Sequence, residues 1–247
     1  MGKRIFIGVG HGGPDPGAVG KVKEAAANLT IALELRRILE TYGIEVGISR
    51  TKDENDPLAE EIKEANAFKP DIAVDVHNNA GGGDGWEAFV QTNGYAAKSR
   101  ALAEAIEKQV KASGQNSRGI KTKKNSSGTD WFGWLRQVQA PAVLLEGFFV
   151  DSNDALDYDT AAEQKKLAAA YAQGIVNYLG VKKPATSTPA SPGGSYLAQI
   201  DAGTKIYAVA GKIEKKGVYT IVEEQGGMGK LKSGAGWVNL SSVKREG

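Results

Sequence analysis

Apolar and polar positions alternate along the chain in two rhythms that change over near its C-terminal fifth. Through the first part, short apolar runs of strand character alternate with segments of helical period: RIFIGV (Arg4 to Val9), a helix from Asn28 to Tyr42, GIEVGIS, a helix from Leu58 to Phe68, and DIAVDVH. The series continues with EAFVQT as a strand and with Ala96 to Ser113 as a helix whose Leu102, Ala105, Ile106 and Val110 share one face. PAVLLEGFF as a strand and Thr160 to Leu179 as a helix complete it. Runs such as IAVDV and AVLLE are apolar enough to be covered on both faces, so the alternation predicts an α/β fold, a twisted, largely parallel (mixed) sheet flanked by helices.

Residues 181–194, VKKPATSTPASPGG, carry no apolar period and read as an extended linker. Beyond it, KIYAVA, VYTIVEEQ, GKLKSG and GWVNLSSVK are short, β-rich and separated by glycines, which predicts a second, small all-β barrel. The expected organisation is therefore a catalytic domain over 1–180, a linker over 181–194 and a barrel over 195–247. Trp237 and Tyr219 are expected in the barrel core or, alternatively, in its ligand groove.

Composition narrows the partners. A net charge of +2, from 31 basic and 29 acidic residues, gives no basic field for nucleic acid. The apolar run at the N-terminus is too short for a secretory signal, and no stretch approaches a membrane span. There is no cysteine, so any metal site must draw on His, Asp or Glu.

The two histidines, His11 in VGHGGPDPG and His77 in VDVHNNAGGG, both stand where a strand runs into a loop, and loops beyond strand C-termini form the ligand crevice of such sheets. They are either two unrelated loop histidines or two ligands of one site. Glu24, just ahead of the first helix, supplies a third, oxygen ligand, or else is only a carboxylate favoured by the helix N-terminus. Three protein ligands with one position left open is the pattern of catalytic zinc. Glu146 interrupts the apolar run PAVLLEGFF, and a buried carboxylate needs a partner or a task. A water acidified by a cation toward pKa roughly 7 gives it both. A salt bridge with a base such as Arg136 is the alternative.

Together these residues resemble the N-acetylmuramoyl-L-alanine amidases of the amidase-3 type, on GHGGPDPGA, KEAAANL with Glu24 and Asn28, SRTKD, VDVHNNA and PAVLLEGFFVDSNDA, in that order across most of Lys3 to Leu179. The resemblance implies Zn2+ on His11, Glu24 and His77, Glu146 as the catalytic glutamate, and hydrolysis of the amide between N-acetylmuramic acid and L-alanine in peptidoglycan. Asn79 would contact the substrate or a ligand. The family usually has serine where this chain has Asp75, and arginine ahead of its Ala-Asn pair where this chain reads EEIKEAN. GKLKSGAGWVNL is similar to bacterial SH3-type cell-wall-binding domains.

The expectation is a phage or prophage endolysin acting on a Gram-positive wall. It would be made in the host cytoplasm without a signal peptide and released through a separately encoded holin-type pore. The rivals are a zinc peptidase cutting the stem or cross-bridge peptide, and an inactive wall-binding protein.

Overall fold

The computed structural model describes residues 2–183 and, beyond them, the strands between residues 196 and 245. The chain divides into two units, Met1–Pro184 and Ala185–Gly247.

In the first unit β1 (Arg4–Val9) is followed by α1 (Glu24–Glu40), β2 (Glu45–Ile48), α2 (Leu58–Phe68), β3 (Ile72–Asn79) and β4 (Trp86–Val90). Next come α3 (Ala96–Ala112), β5 (Ser117–Lys121), α4 (Gly133–Gln137), β6 (Ala142–Phe149) and α5 (Ala161–Leu179). The six strands form one sheet in the order β2-β1-β3-β6-β4-β5. All neighbouring pairs run parallel except β4 and β6, so the sheet is mixed.

Alternate residues of a strand face opposite sides, and both sides here are covered. Ile5, Ile7, Val9, Val74, Val76, Val143 and Leu145 pack with α1, α3 and α5 in the larger core. Phe6, Ala73, Ala142 and Leu144 pack with Ile62 and Ala65 of α2 and Trp134 and Leu135 of α4 in the smaller one. Coverage on both sides is why β1, β3 and β6 read as unbroken apolar runs.

Most expected boundaries agree to within a residue or two, and the α5 boundary has a visible cause. Thr160 and Glu163 form a capping box, and Gly180 takes the left-handed conformation that ends the helix. The exception is α1, which begins at Glu24 rather than Asn28, so Glu24 lies inside the helix and not ahead of it. Apolar period is weak over its first turn, Glu24-Ala25-Ala26-Ala27, because alanine suits any helix face. The short elements β5 and α4 had no sequence expectation, being too brief for period to register.

In the second unit, β7 (Tyr196–Ile200), β10 (Gly217–Gln225), β11 (Met228–Leu231), β12 (Trp237–Asn239) and β13 (Val243–Arg245) form an antiparallel sheet, ordered β12-β11-β10-β7-β13. The strands β8 (Lys205–Ile206) and β9 (Gly211–Lys212) pair separately. Ile221, Leu231 and Val238 are buried. The all-β expectation matches these strands, but the finer expectation of an SH3-like barrel is not supported by them. The linker from residue 184 onward and the side chains of Tyr219 and Trp237 lie outside the described residues.

Candidate metal and catalytic site

The sheet places its chemistry at the C-terminal ends of β1, β3 and β6. Past β1 the chain turns at His11, whose φ of 63° is left-handed, a conformation that a non-glycine residue holds only under constraint. Gly10 makes the approach to β3 possible, since a Cβ there would sit 2.2 Å from the His77 ring. The loop then folds back over α1, and Glu24 receives it: its Oε2 accepts from the Ala18 N–H at 2.8 Å.

That leaves Oε1 of Glu24 pointing at both histidines, 3.3 Å from His11 Nε2 and 3.1 Å from His77 Nδ1. Glu24 is the first residue of α1 and its Oε1 faces both histidines, so its place at the helix start does not exclude the ligand reading. His11, Glu24 and His77 each offer one ligand atom, all within 4.8 Å of one another, and no other such group occurs among the described residues. Two imidazole nitrogens and one carboxylate oxygen facing a common point suit zinc. The two histidines are thus not unrelated loop residues.

The ionisations of the trio interlock. Burial opposes the charge of Glu24, but hydrogen bonding to His11 and His77 outweighs it and holds the carboxyl far below the usual range. His11 is pushed up, chiefly by Glu24. His77 is also pushed up: burial disfavours its charge, and Asp75, Glu24 and Glu146 more than restore it.

Glu146 lies on β6 in register with His77 of β3 on one side and Glu87 of β4 on the other. Its Oε2 is buried with no hydrogen-bond partner. Burial, with the nearby charges of Glu24 and Glu87, raises its pKa to about 7. The alternative salt bridge does not form: Arg136 Nη1 donates to the carbonyls of Asp130 and Trp131 instead. Asn79 joins the same cavity, its Nδ2 donating to Glu87 Oε1 at 3.1 Å. The cavity is about 600 Å³, with Phe132, Trp134 and Leu144 among its apolar lining.

Two residues behind the ligands went unassigned in the sequence. Asn28, wholly buried, donates to Gly10 O at 2.9 Å and accepts from Asn78 Nδ2 at 2.7 Å, tying the His11 turn to β3. Arg50, 2% exposed, donates to the carbonyls of Val9, Gly10, Lys52 and Ala25. The SRTKD segment carries Arg50, yet nothing local marks that arginine as buried. Arg50→Ala would leave those carbonyls unpaired beneath the His11 turn, so we expect it to cost about 3 kcal/mol or more in urea unfolding. Zinc uptake by the variant is expected to weaken as well. Arg50→Ala with wild-type stability would show that these hydrogen bonds do not hold the turn.

Comparison with known proteins agrees with this geometry. The Amidase_3 family, described as N-acetylmuramoyl-L-alanine amidase, matches residues 5–177. The chain is 34% identical over 227 residues to a sporulation-specific N-acetylmuramoyl-L-alanine amidase of Bacillus subtilis, covering 89% of this chain and 84% of that protein. It is 34% identical over 197 residues to the endolysin of Bacillus phage SPP1, covering 74% of this chain and 68% of the phage protein. Among solved structures, the catalytic domain of CwlV, an N-acetylmuramoyl-L-alanine amidase from Bacillus (Paenibacillus) polymyxa var. colistinus, superposes with a TM-score of 0.65 at 31% identity. That match covers 73% of this chain and 99% of the CwlV domain.

Proposed function

The chain belongs to the N-acetylmuramoyl-L-alanine amidase family Amidase_3, and on that premise we propose that it hydrolyses the amide joining N-acetylmuramic acid to L-alanine in peptidoglycan, with zinc. The observation that carries this reading is the convergence of His11, Glu24 and His77, with Glu146 set against His77 across β3 and β6.

When held by His11, Glu24 and His77, zinc supplies Lewis acidity to a water and to the lactyl carbonyl oxygen. Glu146 takes the proton from the attacking water as the new C–O bond forms. It then returns that proton to the nitrogen as the C–N bond breaks, so that L-alanine leaves as an amine and the lactyl group as a carboxylic acid. A carboxyl whose proton affinity is raised toward neutrality is suited to both transfers. In this reading Asn79, whose Nδ2 donates to Glu87, orients substrate.

The test is mass spectrometry of digested walls. The expected products carry free L-alanine amino termini and unsubstituted muramic acid, and a chelator suppresses both. Muramoyl-alanine intact in every fragment, with stem or bridge peptides cut instead, would favour the zinc peptidase. No soluble fragments with zinc present would favour an inactive binding protein.

We assign the site of action to the wall, as an endolysin would act. No helix among the described residues is long and apolar enough to cross a membrane, and the chain resembles a phage endolysin. In this reading the second unit tethers the enzyme to a Gram-positive wall, raising its local concentration there.

A further inference from the structure

Each imidazole of the site turns one nitrogen inward and the other outward. Inward, His11 Nε2 and His77 Nδ1 meet the same Glu24 oxygen. Outward, His11 Nδ1 lies 2.8 Å from Asp15 Oδ2, and His77 Nε2 lies 3.3 Å from Asp75 Oδ2. The outer aspartates differ in setting: the Asp15 side chain is 62% exposed and that of Asp75 only 2%. Solvent screens the first and not the second.

Asp75 stands two residues before His77 on β3, on the same face of the strand. Its place is made by Gly8, its register partner on β1, where a Cβ would come within 2.8 Å of both Asp75 Oδ1 and Glu61 Oε1. Asp75 Oδ1 has no hydrogen-bond partner, so the polar neighbour that remains to this buried carboxyl is the His77 ring, 3.3 Å from Oδ2. Glu61 shares the notch: burial and the nearby Asp75 push its carboxyl up, while the Val9 N–H and the Ser49 hydroxyl hold it in place. The residue type matters here. A hydroxyl, the family's usual group at this position, both donates and accepts and so fixes no tautomer, whereas an ionised carboxylate only accepts.

We propose that Asp75 is a positioning residue that keeps the proton of His77 on Nε2 and so leaves the Nδ1 lone pair directed at the point shared with Glu24 and His11. The inference rests on reading that trio as a metal site. Outer carboxylates of this kind orient ligating histidines and raise their basicity, and losing one typically costs roughly 10–100-fold in metal affinity.

The experiment uses the full chain as wild type, Asp75→Ala, Asp75→Asn and Asp15→Ala. Zinc affinity is measured by competition with a chromophoric chelator, and the His77 ring 15N shifts are recorded on metal-free protein at a pH where the imidazole is neutral. Asp75→Ala should bind zinc roughly 10–100-fold more weakly and show mixed tautomers. Asp75→Asn, which keeps an oxygen acceptor, should recover the Nε2–H form and part of the affinity. Asp15→Ala should lose less than Asp75→Ala. If Asp75→Ala does not fold, Asp75→Asn and the wild-type 15N pattern decide. A wild-type His77 protonated on Nδ1 when neutral, or an Asp75→Ala variant with unchanged affinity and tautomer, overturns the proposal. Wild-type protein that takes up no zinc overturns the metal site instead, and the 15N pattern still reports what Asp75 does.

Discussion

Replacing Glu146 by glutamine should leave a protein that still takes up zinc but releases fragments from purified walls roughly 10²–10⁴-fold more slowly, the span that a positioned acid-base group typically supplies. Glutamine keeps the size of the side chain and its place between His77 and Glu87, so the loss isolates proton transfer from packing. Wild-type rates in Glu146→Gln would remove Glu146 from the chemistry.

The same carboxyl also gives a pH signature. Its pKa is raised to about 7 from an ordinary 4.5, so between those values the folded chain holds a proton that the unfolded chain has lost. Stability attributable to Glu146 therefore falls as pH rises from about 4.5 through 7. Glu146→Gln should abolish that fall and gain on the wild type by about 3 kcal/mol between pH 4 and pH 8, read by urea unfolding without metal. A wild type and variant that run parallel across this range would mean that Glu146 is not held neutral by its surroundings.

The second large effect is expected at Glu24. Its Oε1 is the point that both histidines face, so Glu24→Gln should weaken zinc binding by more than the ~10–100-fold that losing an outer partner costs, and should bring wall hydrolysis to background. The substitution also removes the charge that chiefly pushes His11 up and one of those that push His77 up, so both rings should titrate lower in the metal-free variant, His11 by more. Chelation of the wild type should produce the same loss of activity, reversed by added zinc, while Glu24→Gln stays inactive at zinc concentrations that restore the wild type. Full activity after exhaustive chelation would exclude a metal role for the trio. Glu24→Gln tests geometry more cleanly than Glu24→Ala, since an amide retains a group to meet the Ala18 N–H.

The strands and helices of the first unit were legible because their causes are local. An apolar run covered on both faces, a Thr-x-x-Glu box before α5 and a glycine after it are properties of neighbouring residues. The residue types of the site were legible too: with two histidines and no cysteine, a metal site had few possible ligands, and Glu146 stood out as a charge inside an apolar strand. Glu24 was placed just ahead of α1 because the alanines beside it carry no period, and the structure moves it inside.

Convergence was a different matter. That one oxygen of Glu24 meets two imidazoles, 13 residues before it and 53 after it in the chain, depends on the parallel pairing of β1 with β3 and on a left-handed turn at His11 that only the surrounding contacts enforce. Arg50 beneath that turn and Asp75 behind His77 read in the sequence as an ordinary charged segment and a departure from a family pattern. Only the fold shows the first capping backbone carbonyls and the second set against an imidazole. The sequence by itself determined which elements form and which side chains are chemically able to act, because propensity, period and ionisable character reside in short stretches of chain. The tertiary structure decided which of those side chains meet, how deeply each charge is buried and hence how far its proton affinity moves, because distance and desolvation are set by contacts between residues remote along the chain.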